Sequence, residues 1–102
     1  MKYVYLIQSL EESYFKIGVS KKPKKRIKEL QTGNSSELKL ITTYSSQYAY
    51  KIEKSLHRLL LHVKKEGEWF DLSLIETFTF EEKCKQLEEN FKCLVKNNNV
   101  FI

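Results

Sequence analysis

Between Tyr5 and His57 the chain carries five functional groups that suit phosphodiester chemistry. They are the phenol of Tyr5, the amine of Lys16, the guanidinium of Arg26, the carboxylate of Glu53 and the imidazole of His57. Cleavage of a phosphodiester requires a deprotonated nucleophile, neutralisation of charge on the phosphate oxygens and help for the leaving oxygen. Together these groups are sufficient for metal-assisted cleavage if the fold brings them to one place.

Two strand-like segments have to position the phenol and the amine. Residues 2–8 and 14–19 are rich in aromatic and β-branched types, and the polar stretch between them is typical of a hairpin connection. Because side chains alternate along a strand, Lys16 and Gly18 share one face of the second segment, and Tyr5 occupies one face of the first. Whether these faces coincide depends on the register of the pair.

Tyr5 is the candidate general base for water, and its ordinary pKa limits that role. A free tyrosine with a pKa near 10 is ionised only to about one part in a thousand at neutral pH. The role therefore requires a nearby cation that lowers the pKa, and Lys16 on the adjacent strand is the candidate. Taken singly, Tyr5 is better explained as a sheet tyrosine and Lys16 as an edge-strand lysine that discourages aggregation, whereas the spacing of the set favours a site.

Apolar spacing and helix-end signals predict the next elements. A helix begins near Pro23, carries Arg26 and stops at Gly33-Asn34, and a third strand covers residues 38–44. A second helix from about residue 47 to about 63 has apolar residues at the spacing of a buried stripe. The members of that stripe are Ala49, Ile52, Leu56, Leu59, Leu60 and Val63.

A short extended segment and a final helix complete the pattern. Trp69 and Phe70 carry too much aromatic surface to be left in water, which predicts that they pack on the core. Thr79, with Glu82 three residues on, predicts a capping box for the final helix. The elements together predict an α+β fold, with a small three-stranded, mainly antiparallel sheet flanked by helices, in a single domain over residues 1–102.

Glu53 borders the apolar stripe of its helix, at the edge of the core where a hard divalent cation can be held. One carboxylate, retained waters and a substrate phosphate are a usual magnesium arrangement, so Mg²⁺, with Mn²⁺ as a substitute, is the predicted cofactor. A surface glutamate paired with a neighbouring lysine is the alternative. His57, one turn further on, either assists this site or is a packing histidine. Zinc is not favoured, because Cys84 and Cys93 are too far apart in sequence for a zinc ligand pair.

Composition restricts the class of partner. The chain has 18 Lys and Arg against 13 Asp and Glu, a net charge of +5 and a pI near 9.2, which favours a polyanion: nucleic acid first, anionic membrane second. No apolar run approaches the ~20 residues of a membrane span, so a cytoplasmic protein without a membrane partner is predicted.

Its two cysteines are predicted to be reduced, with Cys84 inside. The apolar tail 100–102 either packs back or meets a second copy in a homodimer.

Four strings of residues carry a resemblance to a known family: Tyr3-Val4-Tyr5, Lys16-Ile17-Gly18, the helix from Ala49 to His57, and Gly67-Glu68-Trp69-Phe70. Their order and spacing over roughly residues 3 to 72 resemble the GIY-YIG nuclease superfamily, most closely its compact phage and viral branch. Tyr3 stands where that family has its first glycine, and Lys16 where it has its second tyrosine. The second departure changes the chemistry of the site.

The resemblance implies a magnesium-dependent endonuclease that hydrolyses DNA. In it Tyr5 is the general base tuned by Lys16, Arg26 at the family's offset from Gly18 clamps the phosphate, Glu53 holds the metal and His57 assists. Flanking lysines are predicted to contact the nucleic-acid backbone without sequence preference, or else to form a solvated helix face: Lys21, Lys22, Lys24, Lys25 and Lys28. The alternatives are a nucleic-acid-binding module with weak or no catalysis and an interaction protein that uses the tail. The role of Glu68 and the form of the substrate are left open by the sequence.

Overall fold

The structure, a computed structural model, describes residues 1–97, and its four strands form one antiparallel sheet in the order β3-β1-β2-β4. The strands are β1 Lys2–Ser9, β2 Tyr14–Ser20, β3 Leu38–Ser46 and β4 Trp69–Phe70. The predicted α+β fold is confirmed. The sheet has four strands instead of three because the aromatic pair Trp69–Phe70, predicted to pack on the core, also pairs with β2.

Within residues 1–97, four α-helices and one 3₁₀ turn surround the sheet. The helices are α1 Pro23–Thr32, α2 Ala49–Leu59, α3 Leu74–Phe78 and α4 Phe80–Lys96, and the 3₁₀ turn is Leu61–Val63. Pro23 stands in the first turn of α1, where a missing N–H has no cost, and Gly33 ends that helix as predicted. Helix α2 is shorter than predicted, and its last residue, Leu59 of the predicted buried stripe, is 49% exposed.

The register between β1 and β2 aligns the faces that the sequence left undetermined. Tyr5 pairs with Gly18 and Ile7 pairs with Lys16, and residues directly opposite in an antiparallel pair project to the same side of the sheet. The phenol of Tyr5 and the amine of Lys16 therefore lie on one face. On the outer side of β2, the short β4 pairs with Phe15 and Lys16.

Each face of the sheet has its own apolar layer. On one face Val4, Leu6 and Ile17 pack against α2 through Ile52 and Leu56, and Phe80 and Cys84 of α4 extend this layer. A smaller cluster on the other face is covered by α1 and consists of Tyr5, Ile7 and Leu38 with Ile27, Leu30, Leu40 and Trp69. Helices α1 and α2 thus lie on opposite sides of the sheet.

A capping box is present at the start of α3, and not at Thr79 where it was predicted. Ser73 accepts from the backbone N–H of Glu76, and the Glu76 carboxylate accepts from the backbone N–H of Ser73. The prediction for Thr79 and Glu82 is wrong, because the Thr79 hydroxyl instead donates to the carbonyl of Ile75 at the end of α3. Two helices follow each other here with a single residue between them.

Other expectations concern thiols, membrane spans and the tail. Cys84 is a buried free thiol and Cys93 an exposed one, as predicted. Among residues 1–97, no helix combines the length and apolar character needed to cross a bilayer. The apolar tail 100–102, on which the homodimer prediction rests, lies outside the described residues.

Candidate functional site

Tyr5 lies in the central strand, where its ring occupies the space above Gly18. Only 2% of Tyr5 is exposed, and a Cβ added at Gly18 would lie 2.5 Å from Cζ of the tyrosine. Glycine is therefore required at position 18 to leave room for the phenol, since its backbone has no unusual torsion angle. The pairing of β1 with β2 therefore restricts where the hydroxyl group of Tyr5 can lie.

Burial sets the protonation of this phenol. The pKa of Tyr5 is raised above its ordinary value, mainly because burial disfavours the phenolate, while the neighbouring Arg26 guanidinium acts in the opposite direction. The charges of Glu68 and Glu53 raise it further. The cation that lowers the pKa of Tyr5 is thus Arg26 and not the predicted Lys16, and burial outweighs its effect.

Lys16 is held between an acid and an aromatic ring. Its Nζ lies 3.5 Å from Oε1 of Glu68 and 5.5 Å from the centroid of the Trp69 ring, and its side chain is only 13% exposed. An ammonium group over an indole face is attracted by the ring quadrupole, so both contacts hold the amine in place. The direct partner of Lys16 is therefore Glu68, and their ion pair lies at the outer edge of β2.

Glu53, His57 and Glu68 form a cluster that we call the carboxylate–imidazole cluster. Their ligand atoms all lie within 4.8 Å of one another, although α2 provides two of them and the segment before β4 provides the third. The pKa of the Glu53 carboxyl is raised, first by burial and also by the charge of Glu68, with His57 acting in the opposite direction. Two carboxylates whose charges repel each other fit a hard divalent cation, which would relieve that repulsion.

His57 is oriented by two contacts. Its Nε2 lies 2.9 Å from the carbonyl oxygen of Ile17, and its ring meets Phe70 edge-on with centroids 4.9 Å apart. Because a carbonyl oxygen only accepts, Nε2 carries the proton, which leaves the Nδ1 lone pair of the neutral ring for a ligand or a proton. The packing alternative for His57 is thus observed in its contact with Phe70, and an assisting role stays a prediction.

The structure places the five predicted residues in two groups and adds a sixth residue: Tyr5 lies beside Arg26, Glu53 lies beside His57, and Lys16 is joined to the second group through Glu68. Lys16 acts electrostatically on Glu53, and the charges of Glu53 and Glu68 act on Tyr5, so groups from both faces of the sheet influence one another. The strand pairing of β4 with β2 ends at Lys16, and Glu68 lies directly before β4. The predicted backbone-contact lysines are separate from this cluster and exposed on and before α1: Lys21, Lys22, Lys24, Lys25 and Lys28.

Glu68 is the residue whose role the sequence left open. Its position follows from β4, since pairing of Trp69 with Lys16 places the preceding residue beside Ile17, whose N–H donates to the Glu68 carbonyl at 3.3 Å. Gly67, with a φ of +56°, turns the chain just before it. The available signal was the tetrapeptide from Gly67 to Phe70, in which an acid stands between a turn glycine and a strand.

The chain belongs to the T5orf172 domain family, whose profile matches residues 2–95. Domains of this family are found in some phage and bacterial nuclease-like proteins and are related to nucleases of the GIY-YIG and HNH types. The family therefore indicates a nuclease-like or nucleic-acid-related role. Membership of the GIY-YIG superfamily itself is not given by this match and stays a prediction. No curated protein and no solved structure matches the chain.

Proposed function

We propose that the protein is a metal-dependent endonuclease that hydrolyses phosphodiester bonds in DNA. The observation that carries the proposal is the carboxylate–imidazole cluster, which Lys16 contacts through Glu68 and whose two carboxylates act electrostatically on Tyr5 beside Arg26. Acidic ligands and basic phosphate-binding groups stand side by side there, and the hydrolysis of a phosphodiester needs both.

Glu53 and Glu68 are the proposed ligands of Mg²⁺, with Mn²⁺ as a substitute that also accepts the imidazole of His57. When bound, the ion supplies positive charge to the phosphate oxygens and lowers the pKa of a water. Lys16 keeps Glu68 within reach of Glu53 through its ion pair. Loss of either carboxylate should therefore weaken the metal site more than it weakens the fold.

Arg26 is the proposed phosphate clamp. Its side chain is 44% exposed on α1, where it also contacts Glu29 at 3.6 Å. A guanidinium that lies between the Tyr5 phenol and solvent is placed to bind two oxygens of an incoming phosphate and to keep its charge at any working pH.

Tyr5 is the proposed general base, and its protonation is linked to the two carboxylates. Their charges raise its pKa, so neutralisation of Glu53 and Glu68 removes two of the contributions that keep the phenol protonated. Burial, the largest cause, then still raises the pKa of Tyr5, and Arg26 opposes burial alone. His57, with its free Nδ1, is placed to transfer a proton to or from the water or the leaving oxygen.

Nicking of supercoiled plasmid tests the proposal. The wild-type protein should nick the plasmid in the presence of Mg²⁺ or Mn²⁺, and Glu53→Ala should lose this activity while it retains DNA affinity. Glu89→Ala removes an exposed helical glutamate on α4 and is the matched control, which should nick as the wild type does. Salt-sensitive DNA binding without nicking at any metal concentration would instead identify a nucleic-acid-binding module.

A further inference from the structure

A recess lies on the same face of the sheet as Tyr5, beyond Lys16. It has a volume of about 460 Å³, and Tyr14 and Trp69 are its two aromatic residues. We call it the Tyr14–Trp69 pocket. Ligand pockets in proteins span roughly 300–1,000 Å³, so the recess is large enough to hold a small planar group.

The walls of the pocket are fixed by backbone and side-chain bonds. Trp69 donates its N–H to the carbonyl of Glu66 at 3.0 Å and accepts from the N–H of Lys65 at 2.9 Å, which closes a tight turn. On the opposite side the Ser9 hydroxyl donates to that of Ser36 at 2.7 Å, and Ser36 donates its N–H to Asn34 Oδ1 at 2.9 Å. These hydrogen bonds therefore hold in place the backbone segments that line the pocket.

The chemistry of the lining suits a base and not a phosphate. Glu12 and Glu66 line the pocket and would repel an anion, whereas their oxygens accept hydrogen bonds from amino groups. Lys65 Nζ lies over the Tyr14 ring, 5.6 Å from its centroid, and reduces the local negative charge. Two half-buried aromatic rings beside hydrogen-bonding groups are the usual means of holding an unstacked base.

The pocket is continuous with the candidate site. Gly18, Lys16 and Tyr14 follow one another at every second position of β2 and so lie on one face, and four residues of a strand cover about 13 Å. The Trp69 ring borders both regions, since Lys16 Nζ lies 5.5 Å from it. A few nucleotides, each spanning about 3.4 Å or more, connect a phosphate at Arg26 to a base beside Tyr14.

We infer that the Tyr14–Trp69 pocket binds an unpaired nucleobase of the strand whose phosphate lies at Arg26, and hence that the substrate is single-stranded or locally unpaired DNA. The inference rests on the proposed function for the position of that phosphate. A base that is paired and stacked in a duplex cannot enter a recess without leaving the stack, which costs a few kcal/mol. Single-stranded DNA provides the base without this cost.

Fluorescence of Trp69, the single tryptophan of the chain, reports on this pocket directly. The full chain in EDTA is titrated with a short single-stranded oligonucleotide, with a strand of equal length whose bases are replaced by abasic residues, and with the corresponding duplex. The single strand should change the Trp69 emission and bind most tightly. Equal affinity for the single strand and the abasic strand would overturn the inference.

Substitutions at Tyr14 separate stacking from charge. Tyr14→Ala should weaken single-strand binding by roughly 5- to 150-fold, the effect of losing one base–aromatic contact, and leave abasic binding unchanged. Tyr14→Phe should bind as the wild type does. Tyr14→Leu keeps apolar bulk without an aromatic face. It should show the same weakening of single-strand binding, and it replaces the alanine variant in the test if that variant does not fold. Phe78→Ala, which removes a remote ring that is 81% exposed, is the control. Wild-type affinity of the folded Tyr14→Ala and Tyr14→Leu variants would overturn the inference.

Plasmid nicking separates this inference from the proposed function. If the protein nicks plasmid with Mn²⁺ but binds normal and abasic strands equally, the inference that the pocket binds a base is overturned. The proposal that the protein is an endonuclease is then still supported. If binding depends on the bases but no nicking occurs, the base-binding inference is supported. The endonuclease proposal then fails, and the protein is a single-strand-binding module.

Discussion

The ring of Tyr5 fills the space in which any other residue at position 18 would place its Cβ. An added Cβ at Gly18 would lie 2.5 Å from Cζ of Tyr5 and 3.0 Å from Cε1, which is closer than real Cβ contacts allow. The two residues face each other across β1 and β2, in the middle of the sheet. The glycine of the second strand is therefore explained by the tyrosine of the first.

Gly18→Ala should destabilise the protein and displace the phenol. Overpacking of a tight site costs about 1–3 kcal/mol, and the shifted ring should also lower the nicking rate. Urea unfolding and plasmid nicking measure the two effects. Gly33→Ala is the matched control, because a Cβ at Gly33 meets nothing within 4 Å and its φ of −98° suits alanine. Equal stability of the two variants would contradict the crowding described for Gly18.

Glu68→Gln should raise the metal concentration needed for nicking. The amide keeps the size of the side chain but removes a charge from the carboxylate–imidazole cluster and from the ion pair with Lys16. Because loss of a group that only orients a metal ligand commonly costs 10- to 100-fold in affinity, a shift in half-maximal Mg²⁺ of at least about tenfold is expected for a ligand. Glu37→Gln, an exposed acid before β3, is the control and should show no shift. An unchanged Mg²⁺ requirement would exclude Glu68 as a ligand.

Arg26→Lys should reduce nicking strongly although it preserves charge. A lysine lacks the planar fork that holds two phosphate oxygens and contacts the phenol differently. The neighbouring Lys25→Gln should leave the rate at saturating DNA unchanged and lower the slope of log affinity against log salt by about one. Titrations at several salt concentrations and single-turnover rates distinguish the two residues. A similar loss of rate in both variants would assign Arg26 to the general basic surface.

The nicking rate should rise with pH through the neutral range. The pKa of Tyr5 lies above its ordinary value, so at neutral pH the phenolate is a small fraction that grows about tenfold with each pH unit. A pH–rate profile at saturating Mn²⁺ measures this dependence, and Tyr5→Phe should abolish both the activity and the rise. A Tyr5→Phe variant with the wild-type profile would assign the base to another group.

Alkaline pH should destabilise the fold through Cys84. Burial raises the pKa of this thiol to about 12, from an ordinary value of 9.0. A raised folded pKa means that the thiol contributes its full stability below pH 9, and that the contribution is lost as pH rises toward 12, because the unfolded chain loses the proton first.

Urea unfolding at a series of pH values measures this loss. The free energy of unfolding should fall with a slope of up to about 1.4 kcal/mol per pH unit for this one group between pH 9 and 12. Cys84→Ala should make the slope shallower, and Cys93→Ala, which removes an exposed thiol, should not. Tyr44, whose pKa burial and the Glu88 carboxylate raise to about 12, contributes from pH 10 upward in all variants.

The parts of the fold that depend on local patterns were predictable from sequence. Alternation in β1 and β2 and the Pro23 and Gly33 signals of α1 gave elements close to those observed. The Thr79 capping box failed because α3, a helix of five residues, takes up the hydroxyl of Thr79. A short helix directly before a longer one leaves no periodic signal of its own.

The candidate site was predictable in its residue types but not in its connections. Register, which no residue type encodes alone, placed Tyr5 and Lys16 on one face. The partner of Lys16 is Glu68, which depends on a two-residue strand pairing far along the chain. The direction of the Tyr5 pKa also depends on burial in the assembled sheet, where desolvation outweighs the guanidinium.

Because β4 has only two residues, the sheet gives up stability at the edge where the proposed active site lies. A sheet is a barrier between its two faces, and here α2 with Glu53 and His57 lies on one side while Tyr5 and Lys16 lie on the other. Two more paired residues at this edge would add ladder hydrogen bonds and protect it from aggregation, but would also occupy the Ile17 carbonyl that now holds His57. Selection for thermal resistance alone is therefore expected to favour a longer β4, which would release the imidazole of His57 from the Ile17 carbonyl.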